Sequence, residues 1–218
     1  MSAFGGGPVS GAAPPIRLLL ADDQALVRGA LAALLSLEED LSVVAEVGRG
    51  DEVVPAARRS NPDVALLDVE MPGLDGIAAA AALRIALPTC RVLVVTTFGR
   101  PGYLRRAMEA GASGFVVKDT PARQLADAVR RVHAGLRVVD PTLAAETLAA
   151  GVSPLTDRET EVLRTARGGG TVADLAGALH LSEGTVRNHL SAVIGKTGAR
   201  NRAEAIRVAE QNGWLLGE

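Results

Sequence analysis

From residue 16 to about residue 134, short apolar runs alternate with amphipathic stretches. The runs at 16–21, 42–47, 64–68, 92–96 and 114–117 predict strands, and the segments between them repeat apolar residues at helical spacing. In the first of these helices Leu26, Ala30 and Leu34 share one face, and Val27, Leu31 and Leu35 share another. A last helix is expected over 121–134, with Leu125, Val129 and Val132 on its inner side. Pro55 falls inside the second helical stretch, so that helix should be short or kinked. Strands that are apolar nearly throughout, each followed by a helix, need cover on both faces. The expected fold class is α/β, a doubly wound five-stranded parallel sheet.

The alternation stops after residue 134. Residues 135–152 read as a linker carrying a short helix at about 141–150, and residues 153–218 carry helical signals without a convincing strand. Thr156 with Glu159 and Thr171 with Asp174 have the spacing of capping boxes. Val172, Leu175, Ala176 and Leu179 form one helical face. Val186, Leu190, Val193 and Ile194 form another, behind Ser182 as an N-cap. Two short helices joined by His180, Leu181 and Ser182 read as a helix-turn-helix in a small all-α domain.

Composition adds limits. Residues 1–15, rich in Gly, Pro and Ala, read as a disordered leader with neither the basic start nor the apolar stretch of a secretory signal. No apolar run is long enough to span a bilayer, so no membrane partner is expected. A single cysteine, Cys90, cannot form an internal disulfide, and a cytoplasmic location is the expectation. The net charge of −2 does not announce a nucleic-acid binder, but residues 187–207 hold five basic residues and one acid, Glu204. Such a local basic stretch suits a protein that binds DNA only with help.

The chemistry gathers at the C-terminal ends of the strands. Asp22 and Asp23 follow the first strand and Asp68 ends the third, so the doubly wound topology brings three carboxylates to one rim. Oxygen-only ligands crowded in this way suit Mg²⁺. Thr96 ends the fourth strand and Lys118 follows the fifth, adding a hydroxyl and an ammonium. Together these are the parts that accept a phosphoryl group and stabilise its charge. Singly, each residue also fits a helix cap, a turn or a solvated surface; their order at successive strand ends is the specific signal.

The stretches Leu18–Asp23, Asp63–Gly76 (including Asp68, Glu70, Met71, Pro72 and Gly73), Val94–Thr97 and Gly114–Asp119 resemble the receiver domain of two-component response regulators. That resemblance implies a flavodoxin-like receiver at 16–134, with Asp68 as phosphoacceptor from a sensor histidine kinase. It further implies Mg²⁺ held by Asp22, Asp23, Asp68 and the Glu70 carbonyl, with Lys118 on the phosphoryl group. Thr96 would be the switch hydroxyl and Phe115 the aromatic that reorients with it. Many receivers place proline directly after the lysine, where this chain has Asp119-Thr120-Pro121.

Leu155–Leu163 and Leu181–Leu190 look like the LuxR-type helix-turn-helix, which with a receiver makes the NarL/FixJ class. Arg187, Asn188 and Ser191 lie opposite the apolar face of the second helix, and Arg and Asn suit bidentate contacts to base edges. Thr185 joins them as an expected DNA contact, and Lys196, Arg200 and Arg202 are placed to meet phosphates. Gly168, Gly169 and Gly170 replace the usual polar loop, which should make it floppy. A promoter-DNA binder that forms a homodimer on phosphorylation, and is not an enzyme, is the expected function. Two rivals stay open: a phosphorylation-independent regulator, and a Mg²⁺-dependent phosphatase with Asp68 as nucleophile.

Overall fold

The computed structural model describes residues 14–97, 99, 101–150 and 153–215. The expected leader falls almost wholly on residues 1–13, outside the described residues. The chain divides into two compact units, residues 1–96 with 110–138, and residues 97–109 with 139–218.

The first unit is built on strands β1 (Ile16–Ala21), β2 (Leu41–Val47), β3 (Val64–Leu67), β4 (Arg91–Thr96) and β5 (Gly114–Val117). β2, β1, β3, β4 and β5 lie side by side in that order, all parallel. The order reverses between β1 and β3, so the ends of these two strands flank the crevice where such sheets bind ligands. Leu18, Leu20, Leu66, Leu93 and Val95 join one core with Leu35, Leu125, Val129 and Val132. The alternate residues Leu19, Ala65, Leu67, Val92 and Val94 are equally buried. Period-two burial on both faces explains why the strands are apolar throughout.

The sequence predicts five strands, one fewer than the sheet has. The sheet has six strands, because β6 (Val138–Val139) adds an edge beside β5. Two residues carry no legible period; the strand exists because the Val138 N–H donates to the Ser113 carbonyl at 3.1 Å and its side chain enters the core. In helix α1 (Ala25–Leu35), the Leu35 face packs inward while Leu26 is 87% exposed and Leu34 44% exposed. Helix α2 (Val53–Ser60) is short: a 3₁₀ turn over Gly50–Glu52 leads into it, Pro55 falls in its first turn where proline is tolerated, and the left-handed Asn61 ends it. Helices α3 (Gly76–Ala86) and α5 (Ala122–His133) complete this unit.

The second unit contains α4 (Pro101–Glu109), α6 (Pro141–Ala150), α7 (Asp157–Arg167), α8 (Val172–Leu179), α9 (Glu183–Thr197) and α10 (Arg202–Gln211). Both capping boxes form. Thr156 and Glu159 bond reciprocally at the start of α7, and Thr171 and Asp174 do so at the start of α8. Ser182 caps α9 by accepting from the Thr185 N–H at 3.1 Å. Between α8 and α9, His180 adopts the left-handed conformation at φ 54°, and the Leu181 N–H returns to the Ala176 carbonyl at 2.9 Å. That tight reversal sets α9 against α8 around Val162, Leu175, Val186 and Leu190.

Candidate functional site

Three backbone hydrogen bonds extend the ladders one residue past the strand ends. The Asp22 N–H donates to the Val47 carbonyl at 3.2 Å, the Asp68 N–H to the Ala21 carbonyl at 2.8 Å, and the Lys118 N–H to the Thr96 carbonyl at 2.7 Å. The sheet therefore carries its site residues in register on one rim. Asp22, Asp68 and Thr96 are buried, Asp23 is exposed, and Phe115 is completely buried on β5. One oxygen from each of Asp22, Asp23 and Asp68 lies within 4.8 Å of the others.

Lys118 Nζ bridges two of these acids, 2.7 Å from Asp22 Oδ2 and 2.8 Å from Asp68 Oδ2. The other Asp68 oxygen, Oδ1, accepts from the Val69 N–H at 2.8 Å. Burial pushes the Asp68 carboxyl above its usual range, opposed by the Lys118 ammonium and reinforced by the Asp22 charge. Burial pulls Lys118 down, but its bonds to Asp22 and Asp68 outweigh that, and the ammonium is held above its ordinary value. Like charges near 4 Å repel by about 4 kcal/mol at an effective dielectric of 20. Three carboxylates and one ammonium leave two negative charges, which a divalent ion would balance. The donor set is all oxygen, as Mg²⁺ prefers. Glu70 lies exposed two residues beyond Asp68.

In the second unit, α9 buries Val186, Leu190 and Val193 and leaves Arg187, Asn188 and Ser191 exposed, with Thr185 half-buried. The four expected basic contacts all have intramolecular partners. Arg187 pairs with Glu183 at 2.5 Å, and Arg200 with Glu204 at 2.9 Å, holding that carboxyl at about 2. Exposed pairs of this kind are weak because solvent screens them, so a DNA phosphate or base can displace them. Lys196 is different: its Nζ lies 2.6 Å from the buried Glu159, the residue that also caps α7. Moving Lys196 to a phosphate would leave a buried carboxylate unpaired. Arg202 donates to the Gly170 carbonyl at 2.9 Å. Gly169 and Gly170 both take positive φ, 87° and 94°, so the glycines that looked merely floppy form a defined turn held by Arg202.

Comparison with known proteins agrees with both halves. Residues 18–130 match the response regulator receiver domain, and residues 153–209 match the bacterial regulatory proteins of the luxR family. The chain belongs to the LuxR-type response regulators. It is 44% identical over 200 residues to the transcriptional regulatory protein YvfU of Bacillus subtilis, covering 92% of this chain and 100% of that protein. It is 41% identical to DesR of the same organism, covering 92% and 99%, and 40% identical to the response regulator RamR of Streptomyces coelicolor, covering 91% and 98%. The crystal structure of the response regulator ChrA, 35% identical, aligns with a TM-score of 0.57 over 91% of this chain and 98% of that one. As a LuxR-type response regulator, the chain is a DNA-binding transcriptional regulator. No described helix is long and apolar enough to cross a membrane.

Two residues of this regulator, Gly76 and Arg28, shape the acidic pocket without supplying it a side-chain oxygen, roles that the sequence alone does not reveal. Gly76 opens α3, where its N–H donates to the Val69 carbonyl at 2.9 Å, and a Cβ there would lie 1.8 Å from the Asp68 carbonyl oxygen. Gly76→Ala must therefore displace the backbone that carries Asp68. It should cost about 1–3 kcal/mol, as overpacking does. A denaturant melt reads that loss, and a melt superimposable on the parent's would show that the loop yields freely. The second residue is Arg28, which donates to the Asp22 carbonyl.

Proposed function

We propose that this regulator is switched by phosphorylation of Asp68 from a sensor histidine kinase, dimerises, and then binds promoter DNA through α9. The observation that carries the reading is the Lys118 bridge between Asp22 and Asp68 on the rim shared with Asp23 and Thr96. The nucleophile is an Asp68 carboxylate oxygen. It forms a bond to phosphorus as the bond from phosphorus to the kinase's phosphohistidine nitrogen breaks. Mg²⁺, held by Asp22, Asp23, Asp68 and the Glu70 carbonyl, would neutralise the transferring oxygens. Lys118 is released from one carboxylate to pair with the phosphoryl group, and Thr96 reports it together with Phe115 through a population shift. Asp68 stores the phosphoryl group as a signal, so no catalytic turnover is assigned, and the reading places the protein in the cytoplasm. The receiver is assigned to 16–134, the linker to 135–152 and the DNA-binding domain to 153–218.

The exposed face of α1, with Leu26, Leu34 and, just beyond it, the 78% exposed Leu37, supports a second copy of this chain as the partner there. A two-fold dimer would present two α9 helices to half-sites about one helical turn apart. Acetyl phosphate with Mg²⁺ should add one phosphoryl group, mapped to Asp68, and shift the protein to dimer. Leu26→Glu should keep the adduct and remain monomeric. An unmodified mass under these conditions would refute the switch, and dimerisation of Leu26→Glu would place the interface elsewhere.

A further inference from the structure

Arg28 lies on α1, six residues beyond Asp22, with its side chain only 21% exposed. Its Nη1 donates to the backbone carbonyl of Asp22 at 2.5 Å, and its Nε lies 3.6 Å from Glu46 Oε2 on β2. Arg28 also lines the same small cavity as Asp22 and Asp68. The Asp22 carbonyl belongs to the peptide that joins Asp22 to Asp23. That peptide is planar and rigid, so fixing its oxygen fixes where the Asp23 Cα begins. Asp22 and Asp68 are already held by burial and by Lys118, whereas Asp23 is the exposed member of the three.

We infer that Arg28 is a positioning residue for the divalent-ion site, holding the Asp22–Asp23 peptide so that Asp23 completes the oxygen donors. The inference rests on the proposed Mg²⁺ role of this cluster. Two effects of Arg28 have opposite signs, which makes it testable. As a cation beside a cation site, it should weaken ion binding by repulsion. As a strut for a donor, it should strengthen binding, and loss of such outer contacts typically costs tenfold to a hundredfold in metal affinity.

Direct calorimetric titration of the full chain with Mg²⁺ separates these effects. Arg28→Met should raise the dissociation constant about tenfold. Arg28→Lys, which keeps the charge and can reach the carbonyl, should fall between it and the parent. An unchanged or tighter constant for Arg28→Met would overturn the inference, since charge alone predicts tightening. Should Arg28→Met fail to fold, Arg28→Ala, a good helix former that also lacks the donor, decides: a constant equal to or below the parent's would overturn the strut, and a weaker one would support it. If the parent itself binds no Mg²⁺, the underlying reading of the acidic cluster fails instead.

Discussion

Asp68→Asn should gain no phosphoryl group from acetyl phosphate and Mg²⁺, stay monomeric and show no rise in DNA affinity, whereas the parent protein should be phosphorylated, dimerise and bind DNA more tightly. Linking two binding modules raises apparent affinity by about 10²–10⁴ through effective concentration, so the donor-induced gain lost in the variant should be on that scale. Misfolding would not explain the loss. Burial raises the Asp68 pKa, so ionising this carboxyl costs stability in the folded state. That cost is absent below the ordinary carboxylate range and fully present once pH exceeds the raised folded value. Asn carries no such cost, so a thermal melt at neutral pH should place the variant no lower than the parent. A variant that still acquired a phosphoryl group and dimerised would point to another acceptor.

Removing the side chains proposed to read bases from α9 should also have a large effect, with a different signature. Arg187→Ala and Asn188→Ala should each cost about 1–3 kcal/mol of binding to the operator and relax its sequence preference at one position. Little fold stability is at stake. Val186, Leu190 and Val193 anchor the helix, and the Arg187–Glu183 pair is exposed at both ends. Arg200→Ala should instead weaken operator and random DNA alike and lower the salt slope by about one. Binding titrations at several salt concentrations distinguish the two patterns. Equal loss on specific and random DNA for Arg187→Ala would remove it from base reading.

The fold was legible where period and capping were strong. Strand runs buried on both faces stood out as apolar blocks, and the Thr156, Thr171 and Ser182 caps marked helix starts because their side chains satisfy backbone N–H groups. The acidic site was legible because parallel topology forces strand ends together, so residues 46 to 96 positions apart, Asp22, Asp68 and Lys118, meet. Tertiary pairing was not legible. Nothing local tied Lys196 to Glu159 or Arg202 to Gly170, since such contacts depend on how α7, α9 and α10 pack. The two apolar faces of α1 also looked alike until packing buried Leu35 and exposed Leu26. Gly76 and Arg28 act through backbone atoms, which side-chain chemistry does not advertise.

The decisive measurement is DNA affinity of the full chain with and without acetyl phosphate and Mg²⁺, on duplexes carrying one or two operator half-sites. Phosphorylation should raise affinity for the paired half-sites by at least about a hundredfold and leave the single half-site nearly unchanged. Equal affinity in all four conditions, with the Asp68 adduct present, would contradict a dimerisation switch.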